Sequence, residues 1–170
     1  MPRTPVGQST LSEKSVNGSA AEAALNVLLL FDDRETKGWA AGAYQQVCGL
    51  TGERGVRATW WNLSDFSHPG VLAGAVSMAI RADVLIVASR ATEGLPFPFY
   101  VWVNSWLPHR RGRTGTLIGL LETSNADGSF RRNNPGSSRV KDFLTATARQ
   151  AGLKLRLEER ELATRELVEA

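Results

Sequence analysis

Along the chain, short apolar runs alternate with longer stretches in which apolar residues recur every three or four positions. Residues 25–31, LNVLLLF, are almost wholly apolar and are ended by DDRE, the pattern of a strand buried on both faces. From Trp39 onward, WAAGAYQQVCGL puts Ala40, Ala43, Tyr44, Val47 and Cys48 on one side at helical spacing, and TGERG ends the helix. VRATWW (56–61) is β-branched, aromatic and alternating, which predicts a second strand less buried than the first. In SHPGVLAGAVSMAIRA, Ser67 and Pro69 are helix-start signals, and Leu72, Ala75, Val76, Ala79 and Ile80 share a face.

DVLIVA (83–88) predicts a third strand, FPFYVWVNSWL (97–107) a third helix and GTLIGLL (115–121) a fourth strand. After a long polar loop, ETSNADGSFRRNNPGSS, the stretch RVKDFLTATARQAG gathers Val140, Phe143, Leu144, Thr147 and Ala148 on one helical face and closes on Gly152. LKLRL (153–157) alternates as an edge strand does. Strict alternation of strands and helices, with no internal repeat, predicts an α/β three-layer sandwich: a five-stranded parallel sheet with helices on both faces. The expected strand order is 2-1-3-4-5.

In such a sheet ligands bind beyond the carboxyl ends of the strands, where strand order reverses. The loops DDRETKG, SRATEG and ETSNADGSFRRNNPGSS therefore share the site edge, while HRRGR (109–113) leads into the fourth strand and lies on the opposite one. Two readings stand for Asp32 and Asp33, a solvated turn ending a buried strand or part of a site. The 97–107 helix carries one apolar stripe, Phe99, Trp102, Val103 and Trp106, and more aromatics than a single face needs. The surplus raises a homodimer through this helix as an alternative to core packing.

Composition bounds the rest. The 170 residues suffice for one domain with a full core, expected over 25–157 and preceded by a Ser-, Gly- and Pro-containing arm, 1–24, expected to be disordered. No apolar run approaches the about 18 residues of a membrane span, and the N-terminus lacks a secretory pattern, so no membrane contact and a cytoplasmic location are expected. The net charge of +3 hides an asymmetry: residues 158–170 hold five Glu against two Arg, an acidic tail of −3, leaving +6 elsewhere. That basic character sits mainly in HRRGR and in Arg131 and Arg132, on opposite edges, so no single stripe forms for nucleic acid.

His68 and His109 fall on opposite edges and Cys48 is the one cysteine, so a zinc site is not expected. Cys48 reads as a small buried hydrophobe. Neither a G-x-S-x-G elbow nor a G-x-x-x-x-G-K-[ST] loop occurs, which removes the usual support for hydrolase and NTPase chemistry.

ADVLIVASRATEGLPFPFYVWVNSWL (82–107) resembles the corresponding segment of the flavodoxin-like NADPH-dependent FMN reductases, with its strand, short loop, "LP" dipeptide and aromatic helix ending near a Trp. The likeness covers 25–157 as topology and 82–107 as sequence. It implies FMN or a related phosphorylated ligand, with Ser89, Arg90, Ala91, Thr92, Glu93 and Gly94 at the flavin ring and, if the chain is an enzyme, NAD(P)H-dependent flavin reductase-like oxidoreductase chemistry. The phosphate would meet Asp33, Arg34, Thr36 and Lys37. There Asp32 and Asp33 repel a phosphate, while Arg34, Thr36 and Lys37 attract it.

LLLFDD also resembles the first strand and acidic pair of a response-regulator receiver domain, where carboxylates bind magnesium beside a phosphorylated Asp. The third strand ends at Ala88 with no Asp, the fourth ends GLLE without Thr or Ser, and LKLRLEE has no Lys at its carboxyl end. This likeness implies a degenerate, ligand-free receiver acting as an interaction module, by dimerisation or partner docking.

Overall fold

The structure, a computed structural model, describes residues 24–51, 55–90, 94–110, 112–122 and 135–160. Among these residues five strands alternate with four helices: β1 Leu25–Phe31, α1 Arg34–Thr51, β2 Val56–Asn62, α2 Pro69–Arg81, β3 Val84–Ser89, α3 Phe97–Trp106, β4 Gly115–Glu122, α4 Pro135–Ala151 and β5 Leu153–Arg160. Short 3-10 turns precede α2 at Leu63–Ser67 and follow α3 at Leu107–Arg110. All strand pairs are parallel, in the flavodoxin-like order β2-β1-β3-β4-β5.

Side-chain alternation divides the core in two. Leu28, Leu30, Leu85, Val87, Leu117 and Leu121 point to one face, where α2, α3 and α4 cover them. Val27, Leu29, Val84, Ile86, Ile118 and Leu120 point to the other. Among the described residues, only α1 supplies helical cover there, through Trp39, Ala40, Ala43, Tyr44 and Val47. The central strands carry apolar runs, residues 27–30, 84–88 and 117–121, because both of their faces are buried there. As expected, β2 is the less buried strand, and the stripe Phe99, Trp102, Val103 and Trp106 is wholly core.

Several expectations need correction. The first helix begins at Arg34 rather than Trp39, because the side chains of Asp33 and Thr36 cap it (below). The fourth begins at Pro135, four residues before the amphipathic pattern of RVKDF, and Pro suits a first turn. β5 continues to Arg160, so Glu158, Glu159 and Arg160 belong to the sheet and not to an acidic tail. Cys48 is half-buried, and its thiol beside Tyr44 raises the pKa of the Tyr44 hydroxyl. The arm at 1–23, the tail at 161–170 and Arg131 and Arg132 lie outside the described residues.

Of the HRRGR segment, His109, Arg110, Gly112 and Arg113 are described and do lie at the edge opposite the strand carboxyl ends, but Arg110 is not a surface cation. It is buried, and its Nη1 donates to the carbonyls of Ala79 at 2.9 Å and Ala82 at 2.5 Å, capping the end of α2. Its Nη2 donates to the Thr114 carbonyl at 3.2 Å. Burial, and secondarily the charge of Arg113, lowers its pKa.

Candidate functional site

The carboxyl ends of β1, β3 and β4 lie side by side at one edge of the sheet, as the strand order requires. At their centre is Arg90, the first residue after β3. Its Nε donates to Asp33 Oδ2 at 2.6 Å and its Nη1 to Glu122 Oε2 at 2.7 Å, while Nη2 donates to Glu35 Oε2. One guanidinium thus joins the start of α1 to the end of β4. Its five donors in a planar fork make this possible, where a single ammonium would serve as a point charge.

Asp32 is engaged from the same side. Its Oδ2 accepts from Ser89 Oγ at 2.7 Å and from the Arg90 backbone N–H at 2.8 Å. Next to it Thr36, fully buried, organises the turn: its Oγ1 accepts from the backbone N–H groups of Asp32 and Asp33, both at 2.9 Å, and donates to Asp33. Asp33 Oδ1 in turn accepts from the Thr36 backbone N–H at 2.9 Å, which makes Asp33 the N-cap of α1. The DDRET sequence is thereby a capping motif in which the amides of Asp32, Asp33 and Thr36 are already bonded.

Electrostatics follow the contacts. Burial raises the pKa of Asp32, against the hydrogen bonds from Ser89 and Arg90. At Asp33 burial acts in the same direction, but the Thr36 amide and the Arg90 guanidinium outweigh it and hold the carboxyl below its ordinary value. Desolvation opposes the charge of Arg90, yet Asp33, Glu122 and Glu35 together raise its pKa. Four carboxylates (Asp32, Asp33, Glu35, Glu122) against one guanidinium give these five side chains a formal charge of −4 + 1 = −3.

Of the residues marked by sequence, Asp33, Thr36, Ser89 and Arg90 come together. Arg34 and Lys37 are exposed, with Lys37 Nζ 5.3 Å from the Phe31 ring centre. Gly94 has φ +87°, a left-handed conformation suited to glycine. Ala91, Thr92 and Glu93 lie outside the described residues. Glu35 and Glu122 were not singled out as site residues, although GLLE at the carboxyl end of a central strand was the available signal. Among the described residues, no group of three or more His, Cys, Asp or Glu is arranged to hold a metal ion, and no helix is long and apolar enough to cross a membrane.

The cluster offers no nucleophile beside a free base, since Ser89 donates to a carboxylate already bonded to the Arg90 amide. What the arrangement does chemically is to neutralise part of its own acidity and tie the start of α1 to the carboxyl ends of β3 and β4. Compared with known proteins, the chain matches no family model, and no curated protein matches it.

Proposed function

We propose that the chain is a non-catalytic flavodoxin-like interaction module whose ligand-binding edge is closed on itself. The observation that carries this reading is the clasp of Arg90 by Asp33, Glu35 and Glu122. At the edge where this topology takes small ligands, Asp32, Asp33, Glu35, Ser89, Arg90 and Glu122 are engaged with each other. The guanidinium also supplies, among acids, the positive charge that a bound cation supplies in a receiver domain, in keeping with the pseudo-receiver likeness of LLLFDD.

A second reading, in which this edge takes FMN or a related phosphorylated ligand and works as a flavin reductase, is supported by the strand order, which brings the loops after β1 and β3 together. Four carboxylates weigh against it, because a phosphate there meets like charge and the already bonded amides of Asp32, Asp33 and Thr36. A visible absorbance spectrum of the purified protein and a thermal melt with added FMN separate the two. Flavin bands, or a melting temperature that rises with FMN by mass action, select the second reading; a flat spectrum and an unmoved melt support the first.

For a homodimer through residues 97–107, Phe97, 77% exposed, is the principal aromatic available. Tyr100 packs on Phe143, with ring centres 4.6 Å apart. Sedimentation of the wild type against Phe97→Ser tests that arrangement.

A further inference from the structure

Among the described residues, three helices cover one face of the sheet and one covers the other, and a groove lies on the less covered side. It lies between the second half of α1 and the strands beside it, has a volume of 780 Å³, and is lined by Leu25, Val47, Leu50, Val84 and Ile118, with Arg156 on the β5 side. We propose that this groove is the docking site for an acidic amphipathic helix of a partner protein. The inference rests on reading the domain as an interaction module and names the partner that this module receives.

Three features specify the occupant. The floor and the α1 wall are apolar or uncharged, since α1 contains no Asp, Glu, Lys, Arg or His from Gly38 to Thr51. Formal charge lies on the other wall alone. The β5 positions facing this side near the groove are Lys154, paired in register with Thr116, and Arg156, paired with Ile118. Lys154 has no ion-pair partner among the described residues, and the partner of Arg156 is the half-buried Glu158 at 2.9 Å on its own strand. At the mouth, Leu50 is 86% exposed, a large apolar side chain in position to close over an occupant.

A helix with an apolar stripe and carboxylates along one flank matches this pattern. Its stripe covers Val47, Val84 and Ile118 while its flank meets Lys154 and Arg156. From Ala43 to Thr51 the α1 wall runs about 12 Å, room for two turns of a partner helix. Nucleic acid fits poorly, because phosphates would find an apolar floor.

The test uses the full chain and a fluorescently labelled synthetic helical peptide, with Leu at i, i+3, i+4 and i+7 and Glu along one flank. Anisotropy is expected to show binding that weakens with salt. The Lys154→Glu/Arg156→Glu variant and Leu50→Asp should each lower affinity about tenfold with little change in melting, since these side chains are exposed. Absence of binding, or binding indifferent to these substitutions, overturns the proposal. So does equal binding of a peptide with Lys in place of Glu, or displacement of the peptide by a single-stranded oligonucleotide. Self-association lost in Leu50→Asp would make a second copy the occupant and overturn it as well. The FMN melt is independent of all these outcomes, so failure here and failure of the interaction-module reading are told apart.

Discussion

Arg90 and Glu122 are bound across the carboxyl ends of β3 and β4, with Nη1 2.7 Å from Oε2 and the Glu122 side chain only 4% exposed. A buried carboxylate of this kind depends on its cation. Arg90→Gln is expected to destabilise the fold by about 2–4 kcal/mol in urea denaturation, because it leaves Glu122 buried without the guanidinium. Arg90→Lys should lose roughly half as much, since one ammonium cannot reproduce the fork. Adding Glu122→Gln to Arg90→Gln should recover part of the loss. A double variant as unstable as the sum of the singles would show that the two side chains are not coupled.

Thr36 is the other fastener of this edge. Thr36→Val keeps the shape and removes the hydroxyl that bonds Asp32 and Asp33, so a loss of about 1–3 kcal/mol is expected. Thr36→Ser, which keeps the hydroxyl, should fall well short of that. Equal losses in the two variants would place the role of Thr36 in its methyl group.

This edge also marks the limit of what the sequence makes legible. Strand order and the stripe of α3 follow from alternation and from 3.6-residue spacing, both local signals. The clasp is not local: Asp33 and Glu35 stand at the start of α1, Arg90 follows β3 and Glu122 ends β4, and no spacing rule joins them. The start of α1 was hidden for a related reason, since DDRET is polar and its helical identity rests on caps rather than on an apolar face. Arg110 reads as one arginine of a basic cluster until the carbonyls at the end of α2 are seen around it.

Packing at the opposite edge gives a separate test. A methyl group on Gly115 would stand 2.5 Å from Arg110 Nη2 and 2.8 Å from the Asp83 carbonyl, whereas on Gly119 it would meet the tips of Leu157 and Leu144 at 2.7 and 3.0 Å. Backbone and a bonded guanidinium cannot yield as leucine tips do. Gly115→Ala is expected to cost about 2–3 kcal/mol and Gly119→Ala about 1 kcal/mol or less, by thermal or chemical denaturation. The reverse ranking would contradict the placement of Arg110.

Acid titration should split the two adjacent aspartates. Asp32, whose carboxyl is raised by burial, binds its proton more readily in the native state than in the unfolded chain. Between the ordinary value of 3.8 and its own raised pKa, its contribution therefore stabilises as pH falls. Asp33 runs the other way. Its pKa is lowered, so its stabilisation is present above 3.8 and is lost as pH falls through the lower value. Carbon-detected NMR of the side-chain carboxyls should give a midpoint above 3.8 for Asp32 and below it for Asp33. Midpoints in the opposite order would rule out the hydrogen bonding described.

The closed edge itself is tested most directly by the Nε–H resonance of Arg90 in a proton–nitrogen NMR spectrum at neutral pH, titrated with FMN. A guanidinium held by Asp33 should give a resolved, exchange-protected signal that is absent in Arg90→Lys and does not move with excess FMN. A signal broadened by solvent exchange, like that of a free arginine, or one that shifts saturably as FMN is added, would mean that this edge is open and receives a phosphorylated ligand.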